Sequence, residues 1–173
     1  GRADALNWLG FTLSDVPGRA ADAEKAYNSA LALQEDLIRA NPSRSEYQQD
    51  AARTRYNRGI LRASADSADL RAPELDFREA IRLLEPLAKS PSDPVPSLEL
   101  ARAYNNLATL LALDDGRLTE ARGFYESAVG RDEELLKTEP ANRAYKMELA
   151  TFCNNLSDLL ERLCGRVQGC GVA

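Results

Sequence analysis

Leu6, Leu9 and Leu13 fall on one helical face at i, i+3 and i+7, and the apolar positions that follow keep the 3.6-residue rhythm: Ala23, Tyr27, Ala30, Leu31, Leu37 and Ile38. Between the two sets, Asp15-Val16-Pro17-Gly18-Arg19 reads as a turn. The pattern predicts a helix over 3–13 and a second over about 20–40, stopped by Asn41-Pro42. A third, over about 45–63, carries Tyr47, Ala52, Tyr56, Gly59 and Ile60. Residues 64–72 read as a mobile loop, after which Pro73 opens a fourth helix with Leu75, Phe77, Ala80, Ile81, Leu84 and Leu87 inward. Pro86 should bend its last turn. Pro96 stands in the first turn of the fifth helix, and Asp114-Asp115-Gly116-Arg117 closes it, with Gly116 expected as a left-handed cap. The seventh helix is expected to end near Arg162, leaving a frayed, glycine-bearing tail over 165–173.

The same residues return at a fixed step. Gly10, Gly59, Ala108 and Ser157 lie 49 residues apart, as do Asn57, Asn106 and Asn155, and Ala3, Ala52, Ala101 and Ala150. Pro42, Pro91 and Pro140 keep the step as well. At twice that step the match is denser: Ala121, Tyr125, Ala128, Pro140, Tyr145 and Asn155 repeat Ala23, Tyr27, Ala30, Pro42, Tyr47 and Asn57. A period of this length marks a stacked repeat protein, because a single helix pair cannot bury its apolar stripe alone. The small residues are expected where backbones approach closely, and Tyr27, Phe77 and Tyr125 where space between units must be filled.

Composition narrows the function classes. Aromatic residues make up 6% of 173, and abundant Ala, Leu, Glu and Arg favour helix throughout, so the chain reads as all-α. A net charge of −5 speaks against a general nucleic-acid surface, and no apolar run is long enough for a membrane span. Without histidine, the commonest general base and metal ligand is missing. Cys153, Cys164 and Cys170 have no paired metal spacing, and Cys153 is expected in the core. Asp114-Asp115 and Asp66/Asp69 lack a calcium-loop pattern. No catalytic residue, cofactor or metal is assigned, and a cytoplasmic location is expected from the odd number of cysteines. The chain opens already inside a repeat and is expected to be a domain of something longer.

Leu9-Gly10, Gly18, Ala23, Tyr27, Ala30 and Pro42, and again Leu107-Ala108, Gly116, Ala121, Tyr125, Ala128 and Pro140, resemble the tetratricopeptide repeat. Ordinary repeats of that family have 34 residues. The lengthened form with Asn105-Asn106-Leu107-Ala108 is similar to repeats of kinesin light chains and of bacterial multidomain signalling proteins, including kinase-linked ones. The resemblance implies a superhelical solenoid of antiparallel helix pairs with about seven helices. It would span 1–164 as one domain, with a partial repeat over 1–19 and units over about 20–63, 73–113 and 117–163, its Asn-bearing helices lining a concave groove. It also implies a protein-interaction scaffold holding a peptide segment, as a monomer rather than a dimer. A structural spacer or dimerisation arm of a larger protein is the other reading.

Asn57, Asn106 and Asn155 are the first candidates for peptide binding, with Asn105 and Asn154 beside them, since an amide offers donor and acceptor to an extended backbone. The same residues could instead bridge adjacent helices. A lysine-based carboxylate clamp is not expected, because the neighbouring positions are Asn105, Asn154 and Tyr56. Where other copies carry Leu6, Leu9 and Leu13, or Tyr104, Leu107 and Leu111, the third helix carries Arg55, Arg58 and Arg62. Either this helix turns to present Tyr56, Gly59, Ile60 and Ala63 inward, or it leaves an opening. The arginines then emerge together, as a solvated face neutralised by Glu46, Asp50 and Asp66, or, joined by Arg53 or Arg78, as a reader of an acidic segment.

Overall fold

The computed structural model describes residues 1–64, 69–90 and 93–169, with side chains described as far as Gly165. Among the described residues there are seven α-helices and no strand: α1 (Arg2–Ser14), α2 (Ala20–Ala40), α3 (Ser45–Ala63), α4 (Arg71–Leu87), α5 (Val95–Leu111), α6 (Leu118–Thr138) and α7 (Arg143–Gly169). A short 3₁₀ turn, Asp115–Arg117, precedes α6. The chain divides into two compact units, Gly1–Glu99 and Leu100–Ala173.

Local chemistry explains the boundaries. Gly18 takes φ 78, a left-handed conformation open to glycine at little cost, and it turns the chain from α1 into α2. The left-handed cap expected at Gly116 is not formed; its N–H instead donates to Asp114 Oδ1 at 2.8 Å inside the 3₁₀ turn. Arg19 and Arg117 stand immediately before α2 and α6, and each pairs with the acid three residues on, Asp22 at 2.7 Å and Glu120 at 2.9 Å. Those acids also face the positive end of the helix dipole. α4 starts two residues before Pro73, and α7 runs on to Gly169, past the expected stop near Arg162 and into the expected tail. Part of the loop expected to be mobile, 65–68, and the end of the tail, 170–173, lie outside the described residues.

In the first unit α1 packs on α2, α2 on α3 and α3 on α4, and α1 also meets α3. Short connections make successive helices antiparallel, so α1 and α3 run in the same direction. Tyr27 is the hub: fully buried, it clusters with Ala23, Leu61 and Leu13. Its ring lies over Gly10, where a Cβ would come within 2.7 Å of the ring carbons. Phe77 of α4 sits over Gly59 of α3 in the same way, at 2.8 Å. Gly10 and Gly59 therefore each receive an aromatic ring from the following helix, Tyr27 across the boundary between 1–19 and 20–63 and Phe77 across that between 20–63 and 73–113. Ala30, Ala52, Ala80, Ile81 and Leu84 complete the apolar interior.

The second unit repeats the arrangement. α6 packs on α7, and α5 meets α6 through Tyr104 against Phe124, centroids 5.9 Å apart, and through Thr109 Oγ1 to the Tyr125 hydroxyl at 2.9 Å. Leu100, Ala101, Leu107, Ala108, Ala121, Ala128 and Leu159 are buried. Leu37, Ile60 and Leu75 are exposed rather than inward. Leu75 lies off the stripe that α4 buries, Pro73, Phe77, Ala80, Ile81 and Leu84, while Ile60 shares the side of α3 that carries Asn57.

Candidate functional site

The asparagines come together in pairs. Asn57 Nδ2 of α3 donates to Asn7 Oδ1 of α1 at 3.3 Å, and Asn155 Nδ2 of α7 donates to Asn105 Oδ1 of α5 at 2.9 Å. The two pairs are equivalent at the 98-residue step. Asn57, Asn106 and Asn155 are each half-buried, Asn105 is buried and Asn154 is exposed. Asn105 Nδ2 also reaches Asn106 Oδ1 at 3.4 Å, which links three of the five candidates in one row. Each pair consumes one donor and one acceptor, so an amide keeps capacity for a further bond. Asn7 was not singled out from the sequence, although its identity with Asn105 at the long step is a usable signal.

Beside the second pair, Arg102 of α5 donates from Nε to Glu148 of α7 at 3.0 Å. Behind them lies Asp132 of α6, fully buried, with neither carboxylate oxygen hydrogen-bonded. Burial first, and Glu148 second, push this acid up to about 7, against a smaller opposing pull from Arg102. The equivalent residue in the first unit is Gln34, whose amide donates to Thr54 Oγ1 at 2.9 Å; at the place of Thr54 the second unit has Phe152.

Of the residues expected inward on α3, Gly59 is buried and Tyr56 meets Phe77 with ring centroids 6.1 Å apart, whereas Ile60 and Ala63 are exposed. Arg55, Arg58 and Arg62 do not emerge together into solvent. Instead α4 supplies Asp76, buried to 1% exposure, into the arginine row. Arg58 grips it with two bonds, Nε at 2.9 Å and Nη2 to the other oxygen, while Arg62 Nη1 adds a third at 2.9 Å and Arg55 stands 3.9 Å away. The remaining donors go to α2: Arg55 to Glu35 at 2.7 Å, Arg62 to Glu24 at 2.8 Å and Arg58 to Asn28. Of the acids expected to neutralise the row, Asp50 pairs with Arg53 instead, and Asp66 lies outside the described residues. Arg53 reaches Glu99 at 2.7 Å, and Arg78 is held by Glu74 at 2.8 Å. The guanidiniums thus cement α2, α3 and α4 through charge-assisted bonds, and no signal in the sequence marked Asp76 as their partner.

Cys153, expected in the core, is exposed, as is Cys164. Its equivalent Tyr104 is buried, but on α7 the neighbours Ala150 and Ser157 are exposed too, so that side of α7 has no helix over it among the described residues. No group of three acidic or cysteine side chains that could hold a metal ion occurs among the described residues, and no helix is long and apolar enough to cross a membrane. Compared with protein-family models, with curated proteins and with solved structures, the chain matches none.

Proposed function

We propose that the chain is a tetratricopeptide-type interaction scaffold, a solenoid of helix pairs that holds an extended segment of a partner protein against its asparagine-bearing helices. The observation that carries this reading is the pair Asn7–Asn57 and its equivalent Asn105–Asn155, amide pairs built twice at matching places, with Asn7, Asn57 and Asn155 half-buried and Asn105 buried. An extended peptide presents alternating N–H and C=O groups, and a row of amides answers both. In this reading the protein is cytoplasmic and monomeric, performs no catalysis, and needs no cofactor. Exchange of Asn106 and Asn155 for Ala is expected to lower partner capture, while stability falls by no more than the roughly 1 to 3 kcal/mol of the lost Asn155–Asn105 bond. Equal loss of both would assign the amides to packing alone.

A second reading is a dimerisation arm. It is favoured by the exposed Trp8, Leu9, Phe11 and Val16 in and after α1. A molar mass that falls on dilution, and a Trp8→Ser variant that is monomeric at all concentrations, would establish it.

A further inference from the structure

α2, α4 and α6 each carry a buried ring and, seven residues on, a further core place. After Tyr27, Phe77 and Tyr125 these places hold Gln34, Leu84 and Asp132, all three buried. The next helix has its own matching place, five residues before Gly59, Ala108 and Ser157, and there stand Thr54, Ala103 and Phe152, buried as well. The first copy is polar at both places, and Gln34 Nε2 donates to Thr54 Oγ1 at 2.9 Å. The second is apolar at both. The third mixes the two, an acid on α6 with a phenyl ring on α7, and both Asp132 oxygens are left without a hydrogen bond.

A carboxyl group at such a place is costly in either protonation state, and far more so as an anion. The charges that act on Asp132 are Arg102 from α5 and Glu148 from α7, and the buried Tyr145 of α7 shares the same surroundings. Arg102 serves Glu148, its Nε within 3.0 and 3.1 Å of the two carboxylate oxygens. That pair lies toward the surface, the arginine side chain 42% and the acid 23% exposed. An ion pair so exposed is worth at most about a fivefold factor in an equilibrium, whereas a buried carboxylate with no counter-charge costs much more. Once Asp132 is an anion, the guanidinium therefore gains by turning inward.

We infer that Asp132 is the trigger of a proton-operated switch: when its proton leaves to solvent, Arg102 exchanges Glu148 for Asp132, and the Glu148 carboxylate is released at the surface of α5 and α7. The three side chains go from no net charge to one negative charge. Arg102 stands one turn from Asn105 on α5, and Glu148 two turns from Asn155 on α7, so the released carboxylate lies in line with the Asn155–Asn105 bond. The end of the amide row is then a neutral ion pair at low pH and a bare acid at high pH. Burial, which pushes Asp132 up to about 7, sets the exchange near neutrality. The exchange stands whether or not the row holds a peptide.

A double-mutant cycle on the whole chain tests it. Arg102→Gln, Glu148→Gln and the two together are unfolded in urea at about pH 5.5 and about pH 8.5, in the parent and in an Asp132→Asn background. In the parent the coupling of Arg102 to Glu148 is expected to be about three- to fivefold in the unfolding constant at the lower pH, and to vanish or reverse at the higher. With Asp132→Asn, which keeps the uncharged form, it should be the same at both. A parent coupling that persists at the higher pH, that is absent at both, or that falls equally in the Asp132→Asn background would overturn the inference. The Arg102 Nε–H resonance of the unmutated protein gives a second reading that needs no destabilised variant. It is expected to move with the Asp132 carboxyl carbon, at a midpoint of about 7, and to stay still in Asp132→Asn. A resonance that ignores the Asp132 titration would overturn the exchange as well.

Discussion

The Tyr27 ring occupies the space that a side chain on Gly10 would need, with ring carbons 2.7 Å from where a Cβ would stand. Glycine costs a helix interior roughly 1 kcal/mol relative to alanine, so its presence here reflects the fit of the ring rather than local preference. The same exchange holds between Phe77 and Gly59.

Gly10→Ala and Gly59→Ala are therefore expected to destabilise by about 1 to 3 kcal/mol each, despite the better helix propensity of alanine. Gly123→Ala, where nothing stands within 4 Å of the added carbon, should be neutral or stabilising. Urea unfolding midpoints of the three variants would separate the cases. Tyr27→Ala, which empties the hub, should cost roughly 3 to 5 kcal/mol.

Asp76→Ala leaves Arg58 and Arg62, both largely buried, without their shared carboxylate. A loss of about 3 to 5 kcal/mol is expected, and Asp76→Asn should lose part of it because the amide still accepts a bond. If thermal unfolding of Asp76→Ala matched the parent, the network would be decoration.

Asp132 ties stability to pH. Its folded value of about 7 lies above the ordinary 3.8, so the native state holds a proton that the unfolded chain has released. The contribution is complete below about pH 4 and is lost as pH rises through about 7, a span worth roughly 4 kcal/mol. Asp132→Asn should remove this slope: at pH 8 the variant unfolds at higher denaturant than the parent, and at pH 5 the gap narrows or closes. A parent midpoint that does not fall between pH 5 and pH 8 relative to the variant would contradict this.

Cys153 should react with a thiol reagent in the native protein as fast as in a helical peptide, and Cys153→Ser should leave the unfolding midpoint within about 0.5 kcal/mol of the parent. Tyr104→Ser, at the equivalent place on α5, should be strongly destabilising. Protection of Cys153 at a partner's addition would locate a contact on α7.

Helix positions were legible because punctuation was strong: Pro17-Gly18 and Asn41-Pro42 bound α2 at the residues predicted. The buried aromatic rings and the small residues of α1, α3 and α5 were equally plain, since repetition sampled each place several times, whereas the matching Ala150 and Ser157 of α7 are exposed. What periodicity could not reveal was which acid meets which base. Arg55, Arg58 and Arg62 looked like a failure of the core pattern, and only the packing of α4 on α3 shows that Asp76 completes them. Cys153 was misplaced for a related reason, because a repeat position is core only where another helix lies over it. Gly165 did not end α7, as one glycine penalty of about 1 kcal/mol is too small to stop a helix by itself.

A chain made of near-copies risks folding with the wrong copies joined, since its helix pairs carry much the same apolar stripe. The arginine row on α3 works against that error. At the place of Asp76 the other copies have Ala26 and Phe124, so an α3 joined to α6 would press three guanidiniums against an aromatic ring with no carboxylate to receive them. The buried ion cluster thus serves as an address within a repetitive sequence, one that lets α3 recognise α4 among similar neighbours during assembly.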